Sequence, residues 1–452
     1  MRAIQRFTAS GVYDHLRMDL AFNEELTFLF GLNGSGKTTA LKLMMAMLEP
    51  SLEPLVRIPF RELELVGETH KHSNVSVAAT KGESTGLELR CSIVPDEVFS
   101  LGGEGLEGLD LGEVQMRESR SNPVLRAIAD LAPPIFLGID RRFKTPRTPP
   151  QRHRVPTSRQ IAHEFQRERS LDDPAFDPGL GEVAFVIEDF ASNLRRRQAG
   201  IDERFRQEII LDAFTYVDPQ LHGFTLEPSE EMFKAFREKS SAIRQALADL
   251  NLDSDESERR SDHFFMTIEE VMSTIRKLSG QRDKEGELPK ELNEAVTAWF
   301  MNQPQVDRID RLFDATNKYR EEQDRASRPL HDFIELTNKF FSQTGKDVQI
   351  DRVGDVEIRM EGKTSSLNAL SSGERQILIM LAHLSLNRRL LKDGVFIVDE
   401  PELSLHMAWQ DMFVEAVQAA NPKLQLVLAT HSPAIIGGRD SLCIPVSSVE
   451  EA

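Results

Sequence analysis

A glycine-rich segment near the start of the chain carries the clearest chemical signal. Residues 31–38, Gly-Leu-Asn-Gly-Ser-Gly-Lys-Thr, have the spacing G-x-x-x-x-G-K-[ST] between an apolar strand predicted at 26–30 and a helix predicted to begin near Thr38. Glycines let backbone N–H groups surround phosphate oxygens, and the helix N-terminus adds a favourable dipole. The lysine can reach terminal phosphates, and the threonine hydroxyl can face Mg²⁺. The segment predicts a nucleotide site made of Asn33, Gly34, Ser35, Gly36, Lys37, Thr38 and Thr39.

A second group of polar residues follows two predicted buried strands far along the chain. The apolar run 395–398 ends at Asp399 and Glu400, and the run 424–429 ends at Thr430 and His431. Open α/β sheets place ligands at the carboxyl ends of their strands. Asp399 is therefore predicted to join Thr38 in a Mg²⁺ shell, Glu400 to polarise the attacking water, and His431 to sense a terminal phosphate. Taken alone, the acidic pair also fits a solvated turn, and the histidine fits a structural residue.

A short polar turn, "LSSGE" at 370–374, precedes the acidic strand. Ser371 and Ser372 can cap a helix predicted from about 374 to 391, whose last turn carries Arg388 and Arg389. The preceding segment, 347–363, has alternating apolar positions and is predicted to form a hairpin.

These segments in this order resemble the ABC-type ATPase head of the SMC, RecF and OLD branch. The segments that match are the phosphate loop at 31–38, the signature turn at 370–374, the Walker B strand "VFIVDE" at 395–400, the D-loop "PELSLH" at 401–406 and the switch histidine in "ATHSP" at 429–433. The resemblance implies an α/β fold, a P-loop head split in sequence around a mainly helical insertion. The predicted domains are an N-terminal lobe at 1–140, a basic linker with the helical insertion at 141–344, and a C-terminal lobe at 345–452.

In heads of this kind, ATP lies between two copies packed head to tail. The resemblance implies ATP and Mg²⁺ as cofactors and a homodimer or higher homo-oligomer as the working assembly. Ser371 and Gly373 would come from the opposite copy, and Glu400 and His431 would be catalytic. The residues of the first copy facing the nucleotide would be Lys37, Thr38, Asp399, Glu400 and His431. The glutamine of the Q-loop is not assigned.

The remaining elements complete the predicted head and its insertion. Strands at 62–66, 74–79 and 87–94 are predicted to form a side sheet, 133–140 another strand, and 98–114 a surface loop. Residues 163–344 are mostly helical in pattern, with breaks near Pro219, Pro228, 253–262 and Pro329. Because no heptad run persists, the insertion is predicted to be a compact helical domain or a short hairpin arm.

One basic stretch stands out in a chain of net charge −18. Residues 141–163 contain no acidic residue and seven basic ones between Arg141 and Arg159. This stretch could dock nucleic acid, an acidic partner or the nucleotide, and a solvated proline-rich linker is an equally weighted interpretation. The overall negative charge argues against a general nucleic-acid coat protein.

Composition narrows the protein class further. The two cysteines, Cys91 and Cys443, lie apart in apolar runs and indicate neither a disulfide framework nor a paired-cysteine metal site. The sequence shows no leader-like opening and no apolar stretch of membrane-spanning length, so a cytoplasmic location without membrane contact is predicted. The segment after His431 is too short for a Toprim nuclease domain.

The resemblance implies a function as well as a fold. The chain is similar to the ATPases of the PARIS, Septu and retron-linked antiviral systems of bacteria. It would then be a switch subunit that controls a separate nuclease, Toprim or HNH effector, with a phage-encoded trigger as a candidate partner. The alternative is a RecF-like repair ATPase that clamps DNA in its ATP-bound dimer. A transporter motor is the weakest of the three hypotheses.

Overall fold

The computed structural model describes residues 1–49, 51–82, 86–102, 111, 117–118, 121–131, 134–138, 143–144, 178–213, 228–249, 255–279, 289–351, 353–387 and 394–446. Contacts divide the chain into two compact units, Met1–Ala191 with Leu330–Ala452, and Ser192–Pro329. The second unit is shorter than the predicted insertion, because residues at both ends of that insertion group with the head. The predicted domain limits after residues 140 and 344 stay predictions.

The described strands form three sheets. They are β1 (Ala3–Val12), β2 (Leu16–Ala21), β3 (Leu26–Phe30), β4 (Glu62–Glu68), β5 (Val75–Gly82), β6 (Gly86–Cys91), β7 (Phe99–Leu101), β8 (Ile135–Leu137), β9 (Phe143–Lys144), β10 (Lys346–Ile350), β11 (Val356–Met360), β12 (Lys363–Ser365), β13 (Gly394–Asp399), β14 (Leu424–Ala429) and β15 (Cys443–Pro445).

The described helices alternate with these strands in the head and make up the second unit. They are α1 (Lys37–Leu48), α2 (Leu52–Arg57), α3 (Pro123–Ala129), α4 (Pro178–Ala213), α5 (Glu230–Asp249), α6 (Asp255–Leu278), α7 (Lys290–Phe341), α8 (Ser372–Leu386), α9 (Met407–Ala420) and α10 (Pro433–Ile436). In the described part of the chain, none of them has the length and hydropathy needed to cross a bilayer.

The central sheet brings the two ends of the sequence together. Its order is β15-β3-β14-β13-β8-β9, with parallel pairing throughout except between β8 and β9. Strands β13 and β14 are apolar and buried along nearly their whole length, as expected for a parallel sheet covered on both faces. Because β14 lies between β3 and β13, the phosphate loop, His431 and the acidic pair all follow neighbouring strands at one edge. This arrangement confirms the predicted split head.

A second, antiparallel sheet packs on the phosphate-loop helix. Its order is β2-β1-β4-β5-β6-β7, and the alternating buried residues of its strands share one apolar core with α1. The side sheet predicted from the sequence is confirmed. The surface loop predicted at 98–114 is wrong at its start, because Phe99–Leu101 pairs with β6 and the Phe99 side chain is buried. Residues 103–110 and 112–114 lie outside the described residues.

Two features differ in detail from the predicted C-terminal lobe. The hairpin at 347–363 has a third strand, β12, so that β10, β11 and β12 form a small antiparallel sheet. Helix α8 ends at Leu386 rather than near residue 391, and residues 388–393 are outside the described part.

Gln425 links the distant chain ends, because its side chain accepts from Ile4 N at 2.7 Å and donates to Ile4 O at 2.8 Å.

The second unit is helical, as predicted, but two predicted breaks are wrong. Residues 255–262 of the expected break at 253–262 are helical, because α6 begins at Asp255, and residues 253–254 lie outside the described part. Helix α7 continues through Pro304 and through the expected break at Pro329. A proline inside a helix costs about 3 kcal/mol. Around Pro329 the buried side chains of Ala326 and Phe333 supply packing that offsets this cost. A break before α5 at Pro228 is confirmed, and Pro219 lies outside the described residues.

Two apolar clusters hold the helices of this unit together. Residues of α5, α6 and the first half of α7 surround the fully buried Trp299. A smaller cluster joins α4 to the middle of α7, where Phe205 stacks on Tyr319 with ring centroids 4.8 Å apart. The unit is therefore a packed set of helices and not an extended two-stranded coiled coil.

Candidate nucleotide-binding site

The predicted phosphate loop connects β3 to α1. Gly34 and Gly36 have φ angles of 86° and 95°, a region that residues with a Cβ rarely adopt. Gly36 is the N-cap of α1, and no side chain caps that helix. The first N–H groups of α1 are therefore open to an anion, as a phosphate site requires. Ser35 Oγ is buried and has no hydrogen-bond partner among the described residues, which fits a loop completed by a ligand.

Lys37 lies across this loop. Its side chain is 5% exposed, and its ammonium group donates to Gly31 O at 2.8 Å and to Leu32 O at 3.1 Å. These carbonyl contacts keep the cation at the loop, where it can exchange them for phosphate oxygens. Asn33 and Thr39 flank the lysine at the exposed turn and in the first turn of α1.

Thr38 and Asp399 meet although 361 residues separate them, with Thr38 Oγ1 3.2 Å from Asp399 Oδ1. A hydroxyl and a carboxylate at the phosphate loop fit Mg²⁺, which binds few protein oxygens and shares the substrate phosphates. Burial raises the pKa of Asp399 to about 6, and the hydrogen bond from Thr38 acts against that rise. A bound cation would favour the ionised carboxylate. The geometry brings together the two predicted metal ligands.

Glu400 follows directly and has an unusual backbone. Its φ and ψ are 49° and 60°, the left-handed region, and its N–H donates to Ala429 O at 2.8 Å. For a residue with a Cβ this conformation costs about 1 to 2 kcal/mol. The strain turns the chain at the strand end and leaves the Glu400 side chain half-buried beside Asp399. A carboxylate carried on a strained backbone at a strand end fits the predicted role of polarising water.

His431 lies at the end of β14 with its side chain 45% exposed. Its Nδ1 is 3.0 Å from Glu402 Oε1, and its backbone N–H donates to the same oxygen at 2.8 Å. Thr430 Oγ1 also donates to that oxygen at 2.8 Å. The prediction that His431 stands near the phosphate-loop edge is supported by the sheet order, while its contact with a terminal phosphate stays a prediction.

The signature turn caps α8 and is closed by its own side chains. Ser371 N donates to Glu374 Oε2 at 2.7 Å, and Glu374 N donates to Ser371 Oγ at 3.4 Å, a capping box. Glu374 is buried and also accepts from Thr344 Oγ1 and Lys346 Nζ, each at 2.7 Å. Burial alone would raise the pKa of Glu374, but these hydrogen bonds outweigh it and the pKa is lowered. Ser371 stays exposed and Gly373 is buried.

Several residues that organise the site were not predicted from the sequence. Glu402 was grouped with the D-loop, yet it contacts both residues that follow β14. Gln410 on α9 donates to Leu405 O at 3.0 Å and accepts from Ser432 Oγ at 2.7 Å. The one sequence signal for Glu402 is its position two residues after Glu400, at a strand end where a third acidic residue is unusual.

One predicted feature falls largely outside the described residues. The basic stretch Arg141–Arg159 is described only at β9, Phe143–Lys144. The Q-loop glutamine remains unassigned. Among the described residues, no group of three or more His, Cys, Asp and Glu side chains could hold a metal ion without a further ligand.

Comparison with known proteins gives a family match and partial matches to individual proteins. Residues 221–437 match the family described as "AAA domain, putative AbiEii toxin, Type IV TA system". The "Retron Vc95 probable ATPase" of Vibrio cholerae serotype O1 biovar El Tor is 27% identical over 140 residues, 28% of this chain and 27% of that protein. The "Retron Ec83 probable ATPase" of Escherichia coli is 27% identical over 96 residues, 19% of this chain and 18% of that protein. The chain therefore aligns with about a quarter or less of these relatives.

Comparison with solved structures gives SMC head domains at low identity. The Smc head domain of Pyrococcus furiosus, solved with an extended coiled coil and bound to the C-terminal domain of ScpA, has a TM-score of 0.42 and 12% identity, covering 100% of this chain and 94% of that chain. The SMC head domain of Thermotoga maritima has a TM-score of 0.37 and 10% identity, covering 100% of both chains. Because both scores are low, the fold rests on the topology itself. The site geometry agrees with the split ATPase head predicted from the sequence, and the sequence matches are to an AAA domain family and to two proteins named as probable ATPases.

Proposed function

We propose that this protein is the ATPase subunit of a two-component antiviral defence complex in bacteria. The similarity to two probable ATPases of retrons supports this placement. The observation that carries the proposal is the meeting of Thr38 and Asp399 at one sheet edge, with Glu400 and His431 following the adjacent strands. This arrangement supplies the parts of a nucleotide switch.

The ATP sites would be composite and would form between copies of this chain. The hydrogen bonds of the signature turn go to its own residues and to Thr344 and Lys346, and the Ser371 hydroxyl group is exposed for a partner's nucleotide. Large apolar side chains on the nucleotide-site segments are also exposed, with Leu32 at 86%, Leu403 at 53% and Met407 at 72%. Such exposure favours burial against another protein surface. A homodimer or a larger homo-oligomer would supply that surface.

Each residue of the site would have one task. Backbone N–H groups of the loop and the Lys37 ammonium would bind the phosphates, and Thr38 and Asp399 would hold Mg²⁺. Mg²⁺ would neutralise charge on the phosphate oxygens. Glu400 would accept a proton from the attacking water, and His431 would donate a hydrogen bond to the terminal phosphate. The signature Ser371 and Gly373 of the partner would close the pocket.

We expect closure of this pocket to affect the helical unit. Helix α7 ends at Phe341. Among the residues that follow it, Thr344 and Lys346 donate side-chain hydrogen bonds to Glu374 of the signature turn. A signature turn that changes partners with nucleotide state would bias the arrangement of the helices, and an effector that contacts them differently would be switched. The effector would be a separate nuclease, Toprim or HNH protein, and a phage product would be the trigger.

The decisive experiment measures assembly and hydrolysis together. Glu400→Gln with ATP and Mg²⁺ should form a stable dimer or larger oligomer by light scattering, while hydrolysis falls by about 10²- to 10⁴-fold. Ser371→Arg should bind ATP but stay monomeric, and Ser100→Arg, at an exposed position of β7, is its control. Hydrolysis at the normal rate in monomeric Ser371→Arg would reject the composite site. Co-purification with the product of a neighbouring gene tests the effector.

A RecF-like DNA clamp is the second candidate, and the stretch Arg141–Arg159 is the observation that favours it. Phosphate contacts by several arginines would give DNA affinity that falls steeply with salt. Tight, salt-dependent DNA binding by the purified chain, strengthened by ATP and needing no second protein, would select this candidate over the defence complex.

A further inference from the structure

One carboxylate oxygen binds both residues that follow β14. Glu402 lies in the short 3-10 turn Pro401–Ser404, and its side chain is 7% exposed. Its Oε1 accepts from Thr430 Oγ1 at 2.8 Å and from His431 N at 2.8 Å, and lies 3.0 Å from His431 Nδ1. Its Oε2 is buried without a hydrogen-bond partner in the described part of the chain. The carboxylate is thus directed at His431 and its neighbour.

The two strand ends are joined a second time. Gln410 donates to the backbone carbonyls of Glu402 and Leu405, and its amide oxygen accepts from Ser432 Oγ. The turn that carries Glu402 and the segment that carries His431 are therefore fixed to each other through α9. This frame holds the carboxylate and the imidazole ring in one geometry.

We propose that Glu402 is a positioning residue for the ATPase reaction, which sets the orientation of the His431 ring. The inference rests on the proposed contact between His431 and the terminal phosphate. With Nδ1 at the carboxylate, Nε2 lies on the opposite side of the five-membered ring and is the nitrogen left to meet a phosphate oxygen. The position of Glu402 thereby leaves Nε2 as the ring nitrogen that would contact the nucleotide.

In the proposed ATP-bound state, the ring would lie between the Glu402 carboxylate at Nδ1 and a phosphate oxygen at Nε2. A charged acceptor forms a stronger hydrogen bond than a neutral one. The Glu402 carboxylate would therefore hold the ring in place more firmly than an amide could.

The ratio of ATP affinity to ADP affinity tests this role. All variants carry Glu400→Gln so that hydrolysis does not interfere, and affinities are measured with Mg²⁺ by competition against a fluorescent nucleotide. Glu402→Gln keeps an oxygen for Thr430 Oγ1 and His431 N but removes the charge. It should lower ATP affinity about 10-fold or more and leave ADP affinity unchanged, since ADP lacks the terminal phosphate. Glu415→Gln, 75% exposed on α9, is the matched control.

A double-mutant cycle separates this inference from the proposed function. His431→Ala alone should lower the same ratio, and adding Glu402→Gln should then have no further effect. If His431→Ala leaves the ratio unchanged, the proposed role of His431 fails and the inference fails with it. If His431→Ala lowers the ratio but Glu402→Gln does not, only the inference about Glu402 is overturned. Equal losses for ATP and ADP in Glu402→Gln would indicate a structural role and also overturn it.

Glu402→Asp provides a second variant that does not depend on the first one folding. Aspartate keeps the charge, but it is one methylene shorter and cannot hold Nδ1 at the same distance. An intermediate loss of the ATP-to-ADP ratio is expected, and a ratio equal to that of the parent would overturn the inference. Thermal unfolding of each variant accompanies the affinity measurements.

Discussion

The N-termini of helices α1 and α8 are built in opposite ways. Helix α1 begins at Gly36 with no side-chain cap and no acidic residue in its first turn. Helix α8 begins at Ser371 with a complete capping box, and Glu374 adds a buried carboxylate to its first turn. Every helix start leaves four N–H groups without partners inside the helix. The first helix leaves these groups to a ligand, and the second assigns part of them to its own side chains.

In the proposed composite site, this difference would separate two roles in phosphate recognition. An uncapped helix start with glycines at positive φ can enclose several phosphate oxygens with backbone groups, which suits the copy that holds the nucleotide. A capped start has less backbone to offer and presents the Ser371 hydroxyl group on a rigid support. Such a support suits a surface that must recognise another copy's nucleotide without rearranging. In the proposed complex, the N-terminus of α1 at Gly36, the open end, would gain order from its ligand. The N-terminus of α8 at Ser371, the closed end, is ordered by its own capping box.

Removing the cation from the open end should have the largest effect. Lys37→Ala is expected to lower ATP affinity by about 10²- to 10³-fold, because two or more charge-assisted hydrogen bonds to phosphate are lost. The fold should survive, since the hydrogen bonds of the lysine ammonium group go to the carbonyls of Gly31 and Leu32 in the loop. Calorimetric titration with ATP and Mg²⁺ measures the change, and Lys71→Ala at an exposed loop is the control. An affinity within about fivefold of wild type would contradict an open, lysine-dependent phosphate site.

Breaking the closed end should instead cost stability. Lys346→Met removes the partner of Glu374, whose carboxylate is 1% exposed and 2.7 Å from the ammonium group. Leaving that charge without its cation should lower the free energy of unfolding by about 2 to 3 kcal/mol, measured by urea denaturation. ATP binding to the monomeric protein should change little, because the lost ion pair lies at the signature turn and not at the phosphate loop.

Two controls sharpen this second prediction. Lys363→Met changes an exposed lysine on β12 and should stay within about 0.5 kcal/mol of wild type. Adding Glu374→Leu to Lys346→Met should recover part of the loss, because the unpaired charge is then gone. A loss for Lys346→Met no larger than that of Lys363→Met would show that the capped end does not depend on the buried pair.

The glycines of the open end give a smaller effect. A Cβ on Gly36 would lie 2.7 Å from Met18 Cε, whereas a Cβ on Gly34 would meet nothing within 4 Å. Both positions have positive φ, so Gly34→Ala and Gly36→Ala should each lower the free energy of unfolding by about 1 kcal/mol. Gly36→Ala should add a further fraction because the Met18 methyl must move. Equal unfolding curves for Gly36→Ala and wild type would contradict the backbone strain.

Local patterns in the sequence predicted the open end well. The glycine spacing, the apolar strand at 26–30 and the Lys-Thr pair all lie within one short segment, so they fix each other's geometry. The capping of α8 by Ser371 also follows from neighbouring residues. Strands 395–398 and 424–429 were predictable because a buried parallel strand is a nearly continuous apolar run, which Gln425 interrupts in the second strand.

Contacts between distant segments could not be predicted in the same way. The partners of Glu374 are Thr344 and Lys346, which come from the turn after α7, and nothing in either segment marks the other. The continuation of α7 through Pro329 depends on tertiary packing that outweighs the local penalty. In the sequence, Glu402 looks like an ordinary turn residue. Its contact with His431 depends on the adjacent strand, which ends beside it in the folded sheet.

Near the C-terminal end of α8, His383 gives a pH-dependent effect of about the same size as the glycine substitutions. Burial lowers the pKa of His383 from 6.5 to about 4, so the folded ring stays neutral at mildly acidic pH. The unfolded chain takes up a proton below 6.5, so stability is fully present above that pH and is lost as pH falls toward 4. Between pH 7.5 and 5.5 the contribution should be about 1 kcal/mol. His383→Gln keeps a side-chain partner for Asn387 and cannot titrate in this range, so the difference between its urea unfolding curves at the two pH values should be smaller by that amount. Identical pH dependence in the two proteins would mean that His383 takes up its proton equally in the folded and the unfolded chain, and it would contradict the lowered pKa of the buried ring.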